Sequence, residues 1–350
     1  MSVNDSLVPP LEAHRFDENA LQEYLGPKLE GFSAGMRVMQ FQGGQSNPTF
    51  LLEAGSKRYV LRKKPPGKLL PSAHMIEREY KVIAALNGTD VPVPTAHLLC
   101  EDADIIGTPF YVMDFVDGRV YAEPHLRSAP REERPAIFES MVDTLARLHN
   151  VDWQAVGLAD FGKPENYVAR QIKRWSQQYE ASKTEEMPAM ESLMRWLPDN
   201  IPDQDETGIA HGDFRHGNLM LHPERTEVVA VLDWELSTLG HPLADLAYFC
   251  LPYHLPASEK GAKGLVGLDF AAENIPSEED VLAAYCKRSG RDGIPNWNFF
   301  LAFSLFRLAA ILQGVYARAL AGNASNADAL QVGKRAGLLA QVGWDLAQRN

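Results

Sequence analysis

Cysteine is scarce: three residues in 350 (Cys100, Cys250 and Cys286), scattered and with no CxxC pair. A disulfide framework is therefore not expected, and a reducing, cytoplasmic location is expected. Basic charge is short as well. Thirty-four Lys and Arg stand against 46 Asp and Glu, a formal net charge of −12. Neither nucleic acid nor an anionic membrane is expected as a bulk partner. An anionic cofactor needs only a local positive site or a metal, and the charge balance does not speak against one. The N-terminus has no basic start and no apolar h-region, so no signal peptide is expected. No apolar run is expected to approach bilayer-spanning length. Internal repeats and low-complexity stretches are missing, as are HExxH, GxGxxG and a Walker loop ending in GKS or GKT.

What is present is a globular composition, 45% hydrophobic and 23% charged, in a chain long enough for two modest domains or one large lobed one. The order of patterns gives an α+β protein in three parts. Residues 1–29 read as a polar arm and, within Glu18–Leu29, helical spacing at Leu21, Tyr24 and Leu25 that Gly26-Pro27 breaks. Residues 30–117 are β-rich. MRVMQFQ, FLLEA and KRYVLRKK are separated by short turns and predict an antiparallel meander. An amphipathic helix over Met75–Gly88 and two further strands, HLLCE and PFYVMDFV, complete this part. After the break at Asp117-Gly118, residues 118–350 are mostly helical. Helices are expected over 134–151, 166–182 and 187–201 and through most of the chain after Asp245. The apolar stretch from Trp297 is expected to be the central helix.

Three features in the β-rich part bear on chemistry. The turn GGQSNPT (Gly43–Thr49) allows close backbone approach to a ligand, and Ser46, Asn47 and Thr49 add donors; an ordinary hairpin loop reads the same way. The strand ending in Arg62, Lys63 and Lys64 puts Arg62 on one face and Lys63 on the other. Either can hold phosphates, and alternation favours Arg62. Glu79, in the helix, is a partner for that basic residue or an ordinary surface acid.

The most informative stretch is IAHGDFRHGNLMLHPERTEVVAVLDWE (Ile209–Glu235). Asp213 and Asn218 lie five residues apart on a loop, and Asp233 follows an apolar strand. Phosphoryl transfer needs a base near the acceptor hydroxyl and oxygen ligands for a hard cation, and this spacing parallels the kinase catalytic loop and metal-binding aspartate. Arg215 reads equally as a γ-phosphate contact or a surface salt bridge. Two rival readings remain. One is a metal-dependent hydrolase built on His211, Asp213, His216, Asp233, His241 and Asp245. The other is a nucleotide-binding module without turnover.

GGQSNPTFLL, YVLRKKPPGKLLPSAH, HGDFRHGN and LDWELSTLGHPLADLA resemble the aminoglycoside phosphotransferase and choline kinase superfamily. They are most similar to the kinase-like domains associated with acyl-CoA dehydrogenases. The resemblance covers roughly residues 30–320. It implies a protein-kinase-like two-lobed fold, with a nucleotide-binding N-lobe (30–117) and a larger C-lobe (118–350) carrying the catalytic loop and the acceptor pocket. It implies Asp213 as the base, Asn218 and Asp233 on Mg²⁺, and Ser46 with its neighbours over the phosphates. Glu79 would anchor the strand cation, which is Arg62 where lysine is expected. Backbone groups of Asp114 and Val116 would contact adenine, His211 would be structural, and Asp245 would brace the catalytic loop. The donor is expected to be ATP, with GTP as the open alternative. The acceptor is expected to be a small-molecule hydroxyl, on a hydroxy acid or acyl metabolite rather than a polycation, with Arg307 as a candidate for its carboxylate. The sequence leaves the oligomeric state open.

Overall fold

The computed structural model describes residues 7–32, 35–42, 47–65, 74–257, 264–322 and 328–349. The chain divides into two compact units, Met1–Val120 with Leu219–Ser237, and Tyr121–Asn218 with Thr238–Asn350.

The first unit begins with β1 (Leu7–Val8), α1 (Glu18–Leu25), β2 (Met36–Phe41), β3 (Thr49–Ala54) and β4 (Lys57–Lys63). It continues with α2 (Ile76–Leu86), β5 (Ala96–Cys100), β6 (Phe110–Asp114) and β7 (Arg119–Val120). One antiparallel sheet runs in the order β1-β2-β3-β4-β6-β5. Part of the expected N-terminal arm is thus an edge strand, with Leu7 opposite Phe41 and Val8 opposite Gln40. The first helix starts at the Asp17 cap, whose carboxylate accepts from the Asn19 and Ala20 amides, and it stops at Leu25, just before Gly26-Pro27.

Strand alternation sorts this unit's two faces. Phe50, Leu61 and Val112 are register partners and pack with Leu21 and Leu25 of α1. One step along, Thr49, Arg62 and Tyr111 form a row on the opposite face. Lys63 is opposite Phe110 and so shares the α1 face. Helix α2 buries Ile76, Glu79, Val82, Ile83 and Leu86. Its buried stripe includes the acid, so Glu79 is not a surface charge. Gly88, at φ 88°, follows the Asn87 cap.

The chain then builds the second unit with α3 (Arg134–Asn150), α4 (Tyr167–Ser182), α5 (Pro188–Asp199) and β8 (Gly208–Ala210). It returns to the first unit for β9 (Leu219–Leu221) and β10 (Val228–Val231), which pair in the order β10-β9-β7. A linear division places Leu219–Ser237 with residues 118–350; the pairing with β7 groups it with the first unit instead. The second unit resumes with β11 (Thr238–Gly240), paired to β8, and α6 (Pro242–Cys250). It ends with α7 (Phe270–Glu273), α8 (Glu278–Ser289), α9 (Trp297–Leu320), α10 (Ala329–Gly333) and α11 (Ala336–Ala347).

Helix α9 is the centre of this unit, packed by α4, α5, α6, α10 and α11. Phe299, Phe300, Phe303 and Phe306 are all buried, so these aromatics are core. The expectation about apolar runs needs correction here. Trp297–Leu320 is long and apolar enough to cross a membrane by length and composition, but 72% of its most apolar window is buried against the rest of the protein. The same pattern serves a core helix.

Candidate active site

In the first unit several of the candidate side chains gather around Glu79. Asn47 Nδ2 donates to Glu79 Oε1 at 2.6 Å, and the Tyr111 hydroxyl donates to Oε2 at 3.0 Å. Arg62 Nε stands 3.2 Å from Oε2 as an ion pair that is not aligned as a hydrogen bond. The second arm of the guanidinium reaches Asp233, with Nη2 3.6 Å from Oδ1. Burial raises the Glu79 carboxyl above its ordinary value, and Arg62 and the Tyr111 hydroxyl oppose that rise. Burial also opposes the Arg62 charge, but Tyr111, Glu79 and Asp233 outweigh it, and the guanidinium is held protonated. The register puts Arg62 here, while Lys63 lies buried on the other face with Nζ 5.8 Å from the Phe16 ring centre.

Asn47 is 1% exposed; besides Glu79 its amide oxygen meets His74 Nδ1 at 3.1 Å. Its side chain is thereby committed to holding Glu79, which leaves the phosphate-donor expectation to its backbone. Ser46, with Gly43, Gly44 and Gln45, lies outside the described residues. Asp114 ends β6. Its carboxylate is 2.6 Å from His97 Nε2, and its amide donates to Thr95 O. Val116 is half-buried just beyond, after Phe115, whose ring lies 4.2 Å under the Arg58 guanidinium.

Asp233 follows β10 with φ 67° and ψ 62°, a left-handed conformation rare outside glycine and tolerated by aspartate. The next residues tie it down. Trp234 Nε1 donates to Val231 O at 2.9 Å, and Arg78 of α2 donates to Ser237 O at 3.3 Å. Its carboxylate keeps 36% side-chain exposure, so it is open to a ligand.

In the second unit the loop after β8 carries Asp213. Asn218 Nδ2 donates to Asp213 O at 2.9 Å and to Oδ2 at 2.8 Å. That fixes the amide flip and leaves Asn218 Oδ1, the atom type a hard cation takes. Arg215 Nε donates to Asp213 Oδ2 at 3.1 Å, so this half-exposed arginine is an ion-pair partner of Asp213 within the loop. Gly217 makes room for it: a Cβ there would stand 2.5 Å from Arg215 Nη1.

The loop is held from α6. Asp245 accepts from the His211 amide at 2.5 Å and the Gly212 amide at 2.9 Å. Behind it, His149 Nε2 stands 3.7 Å from Asp245 Oδ2, and Tyr285 OH meets His149 Nδ1 at 2.7 Å. Burial opposes the Asp245 charge, yet His149, His211 and the Gly212 amide hold its carboxyl below the ordinary value. Each histidine of the hydrolase reading has another task. His211 Nδ1 accepts from the Asp213 amide, and His241 Nδ1 caps α6 at the Leu243 amide. His216 stacks on Phe249, and burial pushes its imidazole down to about 4. No group of three or more His, Cys, Asp or Glu converges as a metal cluster among the described residues.

Sequence reasoning missed Tyr111, Tyr248 and the task of Arg307. Tyr248 lies three residues after Asp245 on α6 and so on the same face, a signal that was available. Burial, followed by the Asp213 carboxylate, pushes its phenol well up. Arg307 is buried and donates from Nη2 to Gly212 O at 2.5 Å, so it grips the loop instead of waiting for an acceptor carboxylate.

An antiparallel sheet bearing an Arg–Glu pair, a helical unit bearing an HGD loop, and an aspartate after a β-hairpin together define a kinase-like α+β fold. The chain belongs to the phosphotransferase enzyme family, whose model matches residues 37–284. It is 49% identical to a candidate aminoglycoside phosphotransferase from Ralstonia eutropha, over 96% of this chain and 99% of that one, with a TM-score of 0.88. An aminoglycoside phosphotransferase solved with ADP and hygromycin B shares the fold at 15% identity, with a TM-score of 0.60 over 93% of this chain and 98% of that one. Among curated proteins the chain is 49% identical to acyl-CoA dehydrogenase family member 10 of Mus musculus, over 95% of this chain but 31% of that one. It spans less than half the length of the curated relatives it matches.

Proposed function

We propose that the chain transfers the γ-phosphoryl group of ATP to a hydroxyl of a small metabolite. The observation that carries this reading is the Asp213–Asn218 arrangement, which fixes a carboxylate and leaves an amide oxygen beside it, in a member of a phosphotransferase family. In this proposal Asp213 takes the proton of the acceptor hydroxyl, whose oxygen attacks the γ-phosphorus as the bond to the ADP oxygen breaks. Arg62, steadied by Glu79, holds phosphate oxygens. Backbone groups of Asp114 and Val116 take the base, and Ser46 and the Asn47 backbone cover the phosphates. Arg215 tethers Asp213 in the free protein and turns to the γ-phosphate when donor binds. Asn218 Oδ1 and the Asp233 carboxylate would supply oxygen donors for Mg²⁺. When bound, that ion would neutralise charge on the transferring phosphates.

For the acceptor, buried Arg307 and half-exposed Arg215 near Asp213 are consistent with a non-cationic compound. Arg215 and Arg307 lie near Tyr248 together with Asp213, so cations and a carboxylate share this region. A hydroxy acid or acyl metabolite is the class we favour.

Calorimetry with ATP, and with GTP as the second donor, tests the metal assignment. Asp233→Asn should weaken nucleotide binding by about tenfold or more in Mg²⁺ and change little in EDTA. Equal affinity of the two proteins in Mg²⁺ would remove Asp233 from the metal site.

The choice of strand cation has its own test. Lys63 is buried, and among the described residues no carboxylate pairs with it; burial pushes its ammonium below the ordinary 10.5. A lowered lysine value means that protonation opposes folding. The penalty is full below the lowered folded value, fades as pH rises from there toward 10.5, and is gone above 10.5. Lys63→Met should therefore raise the thermal midpoint at pH 7, by a margin that shrinks toward pH 10, with ATP affinity kept. Arg62→Met should lower ATP affinity by about tenfold or more. The reverse pattern of affinities would assign the phosphates to Lys63.

A further inference from the structure

The Gly212 peptide unit, just before the proposed base, is gripped at both ends. Its N–H donates to Asp245 of α6 at 2.9 Å, and its C=O accepts from Arg307 of α9 at 2.5 Å. Gly212 has φ 82°, a conformation that glycine adopts without strain and that needs holding to be unique. The two gripping side chains are buried, Asp245 at 1% and Arg307 at 7% exposure.

Arg307 is an expensive way to fill a helix core. Among the described residues no carboxylate lies within ion-pair distance of it, and its buried Nε has no hydrogen-bond partner. Its charge is sheltered by the Trp175 and Tyr248 rings, whose centres lie 5.9 and 5.8 Å from Cζ. An apolar side chain of similar length would pack there at less cost. What an apolar residue cannot do is donate to the Gly212 carbonyl.

We infer that Arg307 is a positioning residue for phosphotransfer. It holds the Gly212 carbonyl opposite Asp245, so that the peptide leading into Asp213 has one orientation and the base one aim. The inference rests on the reading of Asp213 as the base. It replaces a substrate-binding task for Arg307 with one exerted through the loop. Tyr248, beside both Arg307 and Asp213, closes the same cluster from α6.

The full chain carrying Arg307→Met or Arg307→Lys tests this through steady-state kinetics, thermal midpoint and hydrogen exchange of the 208–218 segment. Arg307→Met should lower kcat about 100-fold, the scale of a misaimed catalytic group, with KM for donor and acceptor within threefold. Its thermal midpoint should hold or rise, and exchange at Gly212 and Asp213 should quicken. Arg307→Lys, which restores a donor, should recover part of kcat. An acceptor KM that rises tenfold with kcat unchanged would overturn the inference and make Arg307 a substrate ligand. Unchanged exchange together with unchanged kcat would also overturn it. If Arg307→Met does not fold, Arg307→Lys is judged by the same readouts. If the wild type turns over no acceptor, the phosphotransfer reading fails, and exchange alone decides whether Arg307 fixes the loop.

Discussion

Glu79→Ala should lower stability by about 3–5 kcal/mol, the cost of leaving a buried charge without its partner. The substitution strands three groups at once. Arg62 is 14% exposed at the side chain and loses its main carboxylate; Asn47 Nδ2 and the Tyr111 hydroxyl lose the oxygens at 2.6 and 3.0 Å. The Asp233 carboxylate, 3.6 Å from Arg62 Nη2, stays as a longer ion-pair partner and is more exposed than Glu79, so it offsets only part of the loss. A loss of this size is a large part of a domain's total stability and corresponds to a fall in thermal midpoint on the order of 10 °C. Glu79→Gln keeps an acceptor for Tyr111 and should cost clearly less. Scanning calorimetry of both variants checks the ranking. Equal midpoints for wild type and Glu79→Ala would mean that the buried cluster contributes nothing.

Asp213→Asn is expected to cut turnover by about 10²–10⁴-fold, the range for a general base, while nucleotide affinity stays within a few-fold. Asparagine keeps an oxygen where Asn218 Nδ2 and Arg215 Nε now donate, at 2.8 and 3.1 Å, so the loop's shape should survive. What is lost is the capacity to take a proton. Single-turnover rates with saturating donor make the comparison clean. Full activity in Asp213→Asn would move the base elsewhere.

Much of this was legible in the sequence where one residue's neighbours decide its place. Alternation alone puts Arg62 and Lys63 on opposite faces, and the register agrees, with Arg62 beside Tyr111 and Lys63 beside Phe110. The five-residue spacing of Asp213 and Asn218 announces a loop on which both side chains meet, and they do. What stayed hidden depends on long-range pairing. Tyr111 joins Glu79 only because β4 and β6 are in register, and nothing local marks it. Leu219–Ser237 groups with the first unit through a two-residue strand, Arg119–Val120, too short to give a pattern. Arg307 lies 95 residues from the carbonyl it holds. Its helix reads from the sequence as the apolar central helix, and nothing local shows which group Arg307 meets.

The most direct measurement is ADP release with ATP and Mg²⁺ across a panel of hydroxy acids, hydroxyacyl thioesters and aminoglycosides, with phosphorus NMR on the product. A phosphate ester on a hydroxy acid or acyl compound, formed only with Mg²⁺ and lost in Asp213→Asn, is the predicted result. ATP binding without ester formation on any member of the panel, or an aminoglycoside as the preferred acceptor, would contradict it.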